Sequence, residues 1–201
     1  MTWIKTIPLD EATGRLRKLY DRIKAPDGQI DNIMAAHSLR AHTMEGHMAL
    51  YKNVLHHSAN THPKWFLEAV GVYVSLINKC AYCADHHFAG MARLLGDDDR
   101  SAAIRAALEA GSPDAAFEGA ELEAMRYAHA LTVDPASLGE AHVGALRRAG
   151  CSDGEILELN QVTAYFAYAN RTVLGLGVNT QGEVLGLSPG DSDDADNWTH
   201  D

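Results

Sequence analysis

Two cysteines and two histidines lie within eight positions of the sequence, in the segment CAYCADHH, residues 80–87. If this segment is helical, a turn of 100° per residue places Cys80, Cys83 and His87 on one face. A histidine one turn from a thiol can accept its proton, and a second thiol three residues away can trap an oxidised sulfur as a disulfide. These residue types and spacings predict a redox-active dithiol.

Two other interpretations of the segment stay open at this point. The side chains include ligands that zinc prefers, although adjacent histidines on a helix point about 100° apart and the chain has no second CxxC pair. Cysteines on an amphipathic helix also pack as small apolar side chains. His86 falls about 120° from Cys80 on the helical wheel, and we expect it to be a bystander.

The helix that carries the cysteines has to begin near Lys79 if both thiols are to lie in its first turns. Asn78 is a suitable N-cap residue, and the unpaired N–H groups of a helix N-terminus stabilise a thiolate. The third cysteine, Cys151, follows Gly150 between two predicted helices, and we expect it to be a structural thiol.

Glu68 lies upstream in the segment WFLEAVGVYVSLI, where apolar neighbours make a carboxylate unusual. On one continuous helix it would lie about 22 Å from Cys83, too far to exchange a proton. Glu68 therefore joins the site only if the chain turns near Asn78 and Lys79 and two helices pack together. A half-exposed surface glutamate is the alternative.

The elements that position these residues are predicted to be helices. Apolar residues recur at helical spacing along nearly the whole chain, and no alternating strand pattern occurs. Gly96 breaks this periodicity, and Ser137 with Glu140 and Ser152 with Glu155 form two predicted capping boxes. We predict an all-α fold, a bundle of about seven to nine helices.

The length of 201 residues predicts a single domain, residues 1–201. We expect residues 1–38 to form an N-terminal arm that wraps the core or a neighbouring subunit, and residues 39–178 to form the helical core. The segment SPGDSDDADNWTHD, residues 188–201, holds five aspartates and no Lys or Arg, which predicts a solvated or loosely docked acidic tail. Trp198 is its candidate anchor.

Charge and hydropathy exclude several functions. A formal net charge of −10 argues against a nucleic-acid partner, which clustered Lys and Arg would have to bind. No uncharged apolar run reaches the roughly 18 residues of a membrane span. The first residues are charged and lack the apolar core of a signal peptide, and three cysteines do not make a disulfide scaffold. We therefore expect a cytoplasmic protein.

Histidines are frequent between residues 37 and 62, but their spacing does not align them on one helical face. We expect them to be surface or core residues, with the possibility that one reaches the pocket through the fold. They are His37, His42, His47, His56, His57 and His62.

The motif as a whole resembles the alkylhydroperoxidase D-like group of the carboxymuconolactone decarboxylase-like superfamily, and in particular its peroxidase-related subgroup. The motif of that group is a glutamate, eleven residues, Cys-x-x-Cys, three residues and a histidine, and Glu68, Cys80, Cys83 and His87 match it with every spacing kept. The segments HMALYKNVLHH and NQVTAYFAYANRTVLGLG are also similar to the subgroup.

The resemblance implies a thiol-dependent peroxidase with an all-helical fold that forms a homo-oligomer, a dimer, trimer or hexamer. It implies that Cys83 is the peroxidatic thiol, that Cys80 is the resolving or reductant-facing thiol, and that Glu68 and His87 carry protons. It implies no bound cofactor, but an external dithiol reductant, such as a lipoyl-type molecule or a lipoyl-bearing protein.

One position departs from the group. Relatives have a histidine between the cysteines, where this chain has Tyr82. A phenol with an ordinary pKa of about 10 cannot relay protons near neutral pH as an imidazole does.

Two further functions compete with the peroxidase. One is a non-enzymatic thiol or zinc-binding module that senses redox state. The other is a carboxymuconolactone decarboxylase-like enzyme, against which the paired thiols argue because that reaction does not depend on them.

Overall fold

The computed structural model describes residues 2–200 of the chain, so Met1 and Asp201, the ends of the predicted arm and tail, lie outside the described residues. Within that range the chain forms nine α-helices and no β-sheet, which confirms the predicted all-α class. The helices are α1 (Gly14–Ile23), α2 (Asn32–Ala36), α3 (Ala41–Leu55), α4 (Lys64–Ile77), α5 (Ala81–Leu95), α6 (Asp98–Glu109), α7 (Gly119–Val133), α8 (Glu140–Arg148) and α9 (Asp153–Leu176).

Helix α4 is the centre of the core, because every residue from Phe66 to Ser75 is buried. It forms a helical hairpin with α5, and α7 and α9 pack against it. A helix that is apolar on all sides has to be covered on all sides. This arrangement explains why α4 carries so few polar residues, and why Glu68, buried within it, needs partners from its neighbours.

The turn between α4 and α5 brings Glu68 to the cysteines, as the site requires. Lys79 is the one described residue other than glycine with a positive φ, 59°, and the Cys80 N–H donates to the Ser75 carbonyl at 2.8 Å. This is the hydrogen bond that closes a helix C-terminus through a left-handed residue. The prediction of Asn78 as an N-cap is therefore wrong: Asn78 caps the end of α4, and Cys80 is the N-cap of α5.

Helix α9 approaches α4 closely at Gly71. A Cβ atom placed on Gly71 would lie 2.2 Å from two ring carbons of Phe166, a buried side chain whose ring packs edge-on against His87. Only a residue without a side chain leaves room for this ring.

We expect Gly71→Ala to destabilise the protein by about 2 kcal/mol, because the added methyl group has to displace Phe166 from a packed core. Gly46→Ala is the matched control, since a Cβ atom added to the exposed Gly46 of α3 would meet no other atom within 4 Å. There the change should stabilise the helix by about 0.5–1 kcal/mol. Urea unfolding of both variants measures the difference, and equal free energies of unfolding would contradict the close approach.

One predicted capping box is confirmed and the other is wrong. The Ser152 N–H donates to Glu155 Oε2 at 2.8 Å, and the Ser152 side chain accepts from the Glu155 N–H, as predicted for the start of α9. Ser137 instead ends a separate 3-10 turn, Pro135–Ser137, and donates to the Asp134 carbonyl. Because Pro135 starts that turn, α8 begins only at Glu140.

The acidic tail docks on the core, which favours the docked alternative of the prediction over the solvated one. Trp198 is only 3% exposed, and the Arg22 guanidinium lies 3.8 Å from the centroid of its ring. The fully buried Lys52 donates to the carbonyl of His56 and to two tail groups, the Gly190 carbonyl and Ser192 Oγ. A buried ammonium requires such acceptors, and the tail supplies them.

The described part of the N-terminal arm packs on the same chain. Helix α1 contacts α3, and the Trp3 N–H donates to the Leu176 carbonyl at the end of α9. No helix among residues 2–200 combines the length and the apolar character needed to cross a bilayer.

Candidate active site

The two cysteines of the CxxC motif form a close pair at the start of α5. Cys80 Sγ and Cys83 Sγ lie 2.9 Å apart, both side chains are buried, and neither forms a disulfide. Cys151 is also a free, buried thiol, as expected for a structural cysteine.

The two sulfur-bearing residues line different spaces. Cys83 lines an internal cavity of about 40 Å³, together with Glu68, His86 and His87. Cys80 lines a separate surface groove of about 280 Å³, which Lys79 of the hairpin turn and Arg105 of α6 also line. A small molecule in the cavity therefore meets Cys83, and a molecule in the groove meets Cys80.

A hydrogen bond joins the two thiols. The hydrogen bond from Cys83 lowers the pKa of Cys80, and the same bond together with burial raises the pKa of Cys83. The fully buried Asn170 of α9 also hydrogen-bonds to the thiols, and this contact favours the ionised form of either. The hydrogen bond therefore favours ionisation of Cys80 before Cys83, and Cys83 holds its proton more tightly. Cys83 becomes a nucleophile only when that proton leaves.

Glu68 and His87 are placed to take the proton. Glu68 Oε2 lies 2.5 Å from His87 Nδ1, and Glu68 Oε1 lies 3.4 Å from Nε2 of His56, the C-cap of α3. Burial pushes the pKa of Glu68 up, but the charge and hydrogen bond of His87, with the charge of His56, lower it overall. Glu68 is thus a buried carboxylate that stays ionised beside an imidazole on the cavity wall.

A second carboxylate–imidazole pair borders the cavity. Glu183, in the segment after α9, accepts a hydrogen bond from the Tyr82 hydroxyl at 2.8 Å, and its Oε2 lies 3.4 Å from His86 Nε2. The backbone N–H of Asn32 also donates to Glu183. His86, which the helical wheel of α5 placed away from Cys80, thus lines the cavity and contacts a carboxylate from a distant part of the chain.

The N-terminal arm and the tail close the cavity. Asp31 and His200 line it, with Nε2 of His200 3.7 Å from Asp31 Oδ2. Gly186 lies against α5 so closely that a Cβ atom there would be 2.8 Å from the Ala89 Cβ, and its φ of 84° also favours glycine. The arm and the tail are thus part of the site, although their sequences assigned them no role in it.

Two buried histidines near the cavity are held neutral. Burial lowers the pKa of His47 to about 3 and that of His56 to about 4, the latter despite the opposing charge of Glu68. An imidazole with a depressed pKa in the folded state binds its proton more readily after unfolding, so stability falls as pH drops below the unfolded value of about 6.5.

We expect each of these imidazoles to remove about 2 kcal/mol from the free energy of unfolding between pH 7 and pH 5. Urea unfolding at both pH values measures this. In His47→Asn the difference between the two pH values should shrink by about 2 kcal/mol, whereas His42→Asn, at an exposed position of the same helix, should keep the wild-type difference. An unchanged difference in His47→Asn would contradict the assignment.

No group of three His, Cys, Asp or Glu side chains within residues 2–200 is arranged to hold a metal ion. His86 and His87 each face a carboxylate instead of a shared centre with the cysteines.

Comparison with known proteins connects this geometry to solved structures. No protein-family model and no protein of described function matches the sequence. The fold matches an uncharacterised peroxidase-related protein from Ralstonia eutropha JMP134, described as an alkylhydroperoxidase AhpD core, with a TM-score of 0.76 and 18% identity over 89% of this chain and 91% of the other.

Two further solved structures match nearly the same share of this chain. An uncharacterised peroxidase-related protein from Silicibacter sp. TM1040 has a TM-score of 0.74 and 23% identity over 89% of this chain and 91% of its own. A debrominase has a TM-score of 0.70 and 20% identity over 88% of this chain and 91% of its own. The protein therefore has the all-helical alkylhydroperoxidase D-like fold, as the four-residue motif predicted.

Proposed function

We propose that the protein is a thiol-dependent peroxidase that reduces hydrogen peroxide and small organic hydroperoxides through a dithiol–disulfide cycle. The observation that carries the proposal is the placement of Cys83. It lines a cavity of about 40 Å³ that Glu68 and His87 also line, and a second thiol lies 2.9 Å from it. The AhpD-core and peroxidase-related neighbours support the same class of reaction.

The first half of the cycle uses the cavity side of the pair. The Cys83 proton passes to the Glu68–His87 pair, and the resulting thiolate attacks the terminal oxygen of the peroxide. The S–O bond forms as the O–O bond breaks, leaving a sulfenic acid on Cys83 and releasing water or an alcohol. Cys80 then attacks the Cys83 sulfur and forms the disulfide as the S–O bond breaks, and the departing hydroxide takes a proton from solvent to give water.

The second half of the cycle uses the groove side. An external dithiol that enters the groove meets Cys80, attacks its sulfur and returns both cysteines to thiols, while the reductant becomes a disulfide. The groove has room for a lipoyl-type arm, and Lys79 and Arg105 border it with positive charge, although Asp85 pairs with Arg105 at 3.1 Å. We propose a lipoyl-type dithiol or a lipoyl-bearing protein as the reductant.

The size of the cavity selects the peroxide. A space of about 40 Å³ holds roughly three water molecules, so hydrogen peroxide fits and an aromatic ring does not. One solved structure of the debrominase fold contains 2,3,4-tribromopyrrole, at a TM-score of 0.64 and 20% identity over 84% of each chain. A ring of that size exceeds the cavity described here, so the cavity favours peroxide over a halogenated aromatic substrate.

The state of the cysteines bears on the compartment in which the protein acts. All three cysteines are free, which suits a reducing compartment, and we propose that the protein acts in the cytoplasm.

Large apolar side chains stay exposed on the single chain, and we propose that they contribute to a homo-oligomer. They include Trp3, Val133 and Leu157.

Steady-state consumption of hydrogen peroxide with dihydrolipoamide as reductant tests the proposal. We expect turnover by the wild-type protein and by Cys151→Ser, whose thiol lies outside the site. Elemental analysis of the same preparation distinguishes the competing module, because stoichiometric zinc without an oxidisable thiol pair would contradict the peroxidase.

A further inference from the structure

We propose that His86, held in place by Glu183, is the acid that protonates the oxygen leaving from the peroxide. The proposal rests on the peroxidase function proposed above and adds a second proton-transfer group to it. His86 lines the same cavity as Cys83, and Nε2 of its ring lies 3.4 Å from Glu183 Oε2.

The reaction requires two proton transfers of opposite direction. One group has to take the thiol proton before attack, and another has to supply a proton when the O–O bond breaks, because free hydroxide is a poor leaving group. Glu68 and His87 suit the first task, since Glu68 is ionised and in contact with His87. After accepting that proton they are not available to supply it to the leaving oxygen as a separate acid. The second task needs a group elsewhere on the cavity wall.

His86 occupies such a position. It follows Cys83 by three residues on α5 and precedes His87 by one, so the two imidazoles leave the helix about 100° apart. Each has its own carboxylate, Glu68 from α4 for His87 and Glu183 from the segment after α9 for His86. The two imidazoles on the cavity wall therefore belong to two separate carboxylate–imidazole pairs, although Glu183 itself does not line the cavity.

Tyr82 does not supply this proton. Burial and the charge of Glu183 raise its pKa well above the ordinary value, and its hydroxyl already donates to Glu183 at 2.8 Å. The same oxygen accepts a hydrogen bond from the Ile33 N–H at 3.3 Å. Tyr82 is thereby a positioning residue, since its hydroxyl holds the Glu183 carboxylate that contacts His86. The centroids of the Tyr82 and His86 rings lie 4.6 Å apart.

Glu183 is also a positioning residue. Its side chain is 3% exposed, and it accepts hydrogen bonds from Tyr82 on α5 and from the Asn32 N–H in the N-terminal arm. These contacts hold the carboxylate 3.4 Å from Nε2 of His86. The other titratable groups near His86 are Asp31 of the arm, His200 of the tail, and Cys83 and His87 on its own helix.

The protons balance in the reduction of the peroxide. The Cys83 thiolate forms the S–O bond and the O–O bond breaks, and the departing oxygen takes the proton of the His86 imidazolium to give water or an alcohol. The thiol proton held by the Glu68–His87 pair returns to solvent, and solvent protonates His86 again. The products are one sulfenic acid and one molecule of water or alcohol.

Peroxides with different leaving groups test the role of His86. Hydrogen peroxide releases hydroxide, whose conjugate acid has a pKa of about 15.7, so it needs the acid. Peroxyacetic acid is also small and releases a carboxylate, whose conjugate acid has a pKa of about 4, so it needs none. The measurement is the rate of Cys83 oxidation in a single turnover, in wild type, His86→Gln, Glu183→Gln and the surface control His42→Gln.

We expect His86→Gln to lower the rate with hydrogen peroxide about 100-fold and the rate with peroxyacetic acid less than about threefold. Glu183→Gln should change the ratio of the two rates in the same direction, and His42→Gln should leave it at the wild-type value. The peroxyacetic acid rate also reports whether each variant is folded. Equal losses with both peroxides, or no loss with either, would overturn the role of His86. A wild-type protein inert to both peroxides would instead overturn the peroxidase function.

Discussion

Cys83→Ser is expected to lose peroxide reduction altogether, by at least about 10³-fold, because it removes the sulfur that faces the cavity. Cys80→Ser should behave differently. Cys83 still reacts once with peroxide in that variant, but no neighbouring thiol condenses with the product. The sulfenic acid therefore accumulates, and a cyclic 1,3-diketone that labels sulfenic acids should mark Cys83.

The contrast between the two variants assigns the roles of the sulfurs. The lowered pKa of Cys80 makes it the competing nucleophile, since it ionises more readily than Cys83. Geometry favours Cys83, because Cys83 lines the cavity with the proton acceptors and Cys80 lines the outer groove. Labelling of Cys80 in Cys83→Ser, with full loss of labelling in Cys80→Ser, would show that the roles are reversed.

Glu68→Gln is expected to lower the rate of Cys83 oxidation about 10²- to 10³-fold, the usual range for loss of a positioned acid–base group. Glutamine keeps the shape of the side chain but has no negative charge with which to accept the thiol proton. The proton on Cys83 then has no acceptor, and the thiolate forms only at higher pH. The rate of Cys83 oxidation measured as a function of pH tests this. We expect the pH at which the rate rises to be higher in the variant than in wild type.

Glu158→Gln is the control for that experiment. Glu158 on α9 accepts hydrogen bonds from the backbone N–H groups of Thr61 and His62, and it does not line the cavity. We expect its rate of Cys83 oxidation to stay within about twofold of wild type. If Glu68→Gln also stayed within that range, the thiol proton would have to leave by another route.

Much of the fold was accessible from the sequence. Helical periodicity depends on local spacing, and it predicted the class and the number of helices. The Glu68 motif added one contact between two helices, and that contact specified where the chain had to turn. The position of the cap was missed because a left-handed Lys79 is unusual for a residue with a side chain.

Half of the site was inaccessible to the same reasoning. Glu183 follows His86 by 97 residues, and Asp31 and His200 come from opposite ends of the chain. Composition predicted a solvated or loosely docked tail because its aspartates are conspicuous, whereas Lys52 and Trp198, which dock it, are single residues. The sequence offered one signal, the single glutamate Glu183 between Gly182 and the apolar Val184 and Leu185, but no neighbouring residue indicates that it contacts His86.

The histidines of residues 37–62 show the same limit. Their spacing was judged on one helical wheel, but His56 follows the end of α3 and reaches Glu68 on another helix. His47 lies within α3 and lines the cavity because α9 brings Tyr165 against it, with the hydroxyl 3.3 Å from His47 Nε2. Contacts between helices, and not periodicity within one, decided both positions.

The most direct test of the dithiol mechanism is a titration of free thiols before and after one equivalent of hydrogen peroxide, followed by mass analysis of the peptides. We expect the loss of two thiols per chain, a disulfide between Cys80 and Cys83, no crosslink between chains and a Cys151 that stays reduced. Retention of all three thiols, or a disulfide that includes Cys151, would contradict the mechanism.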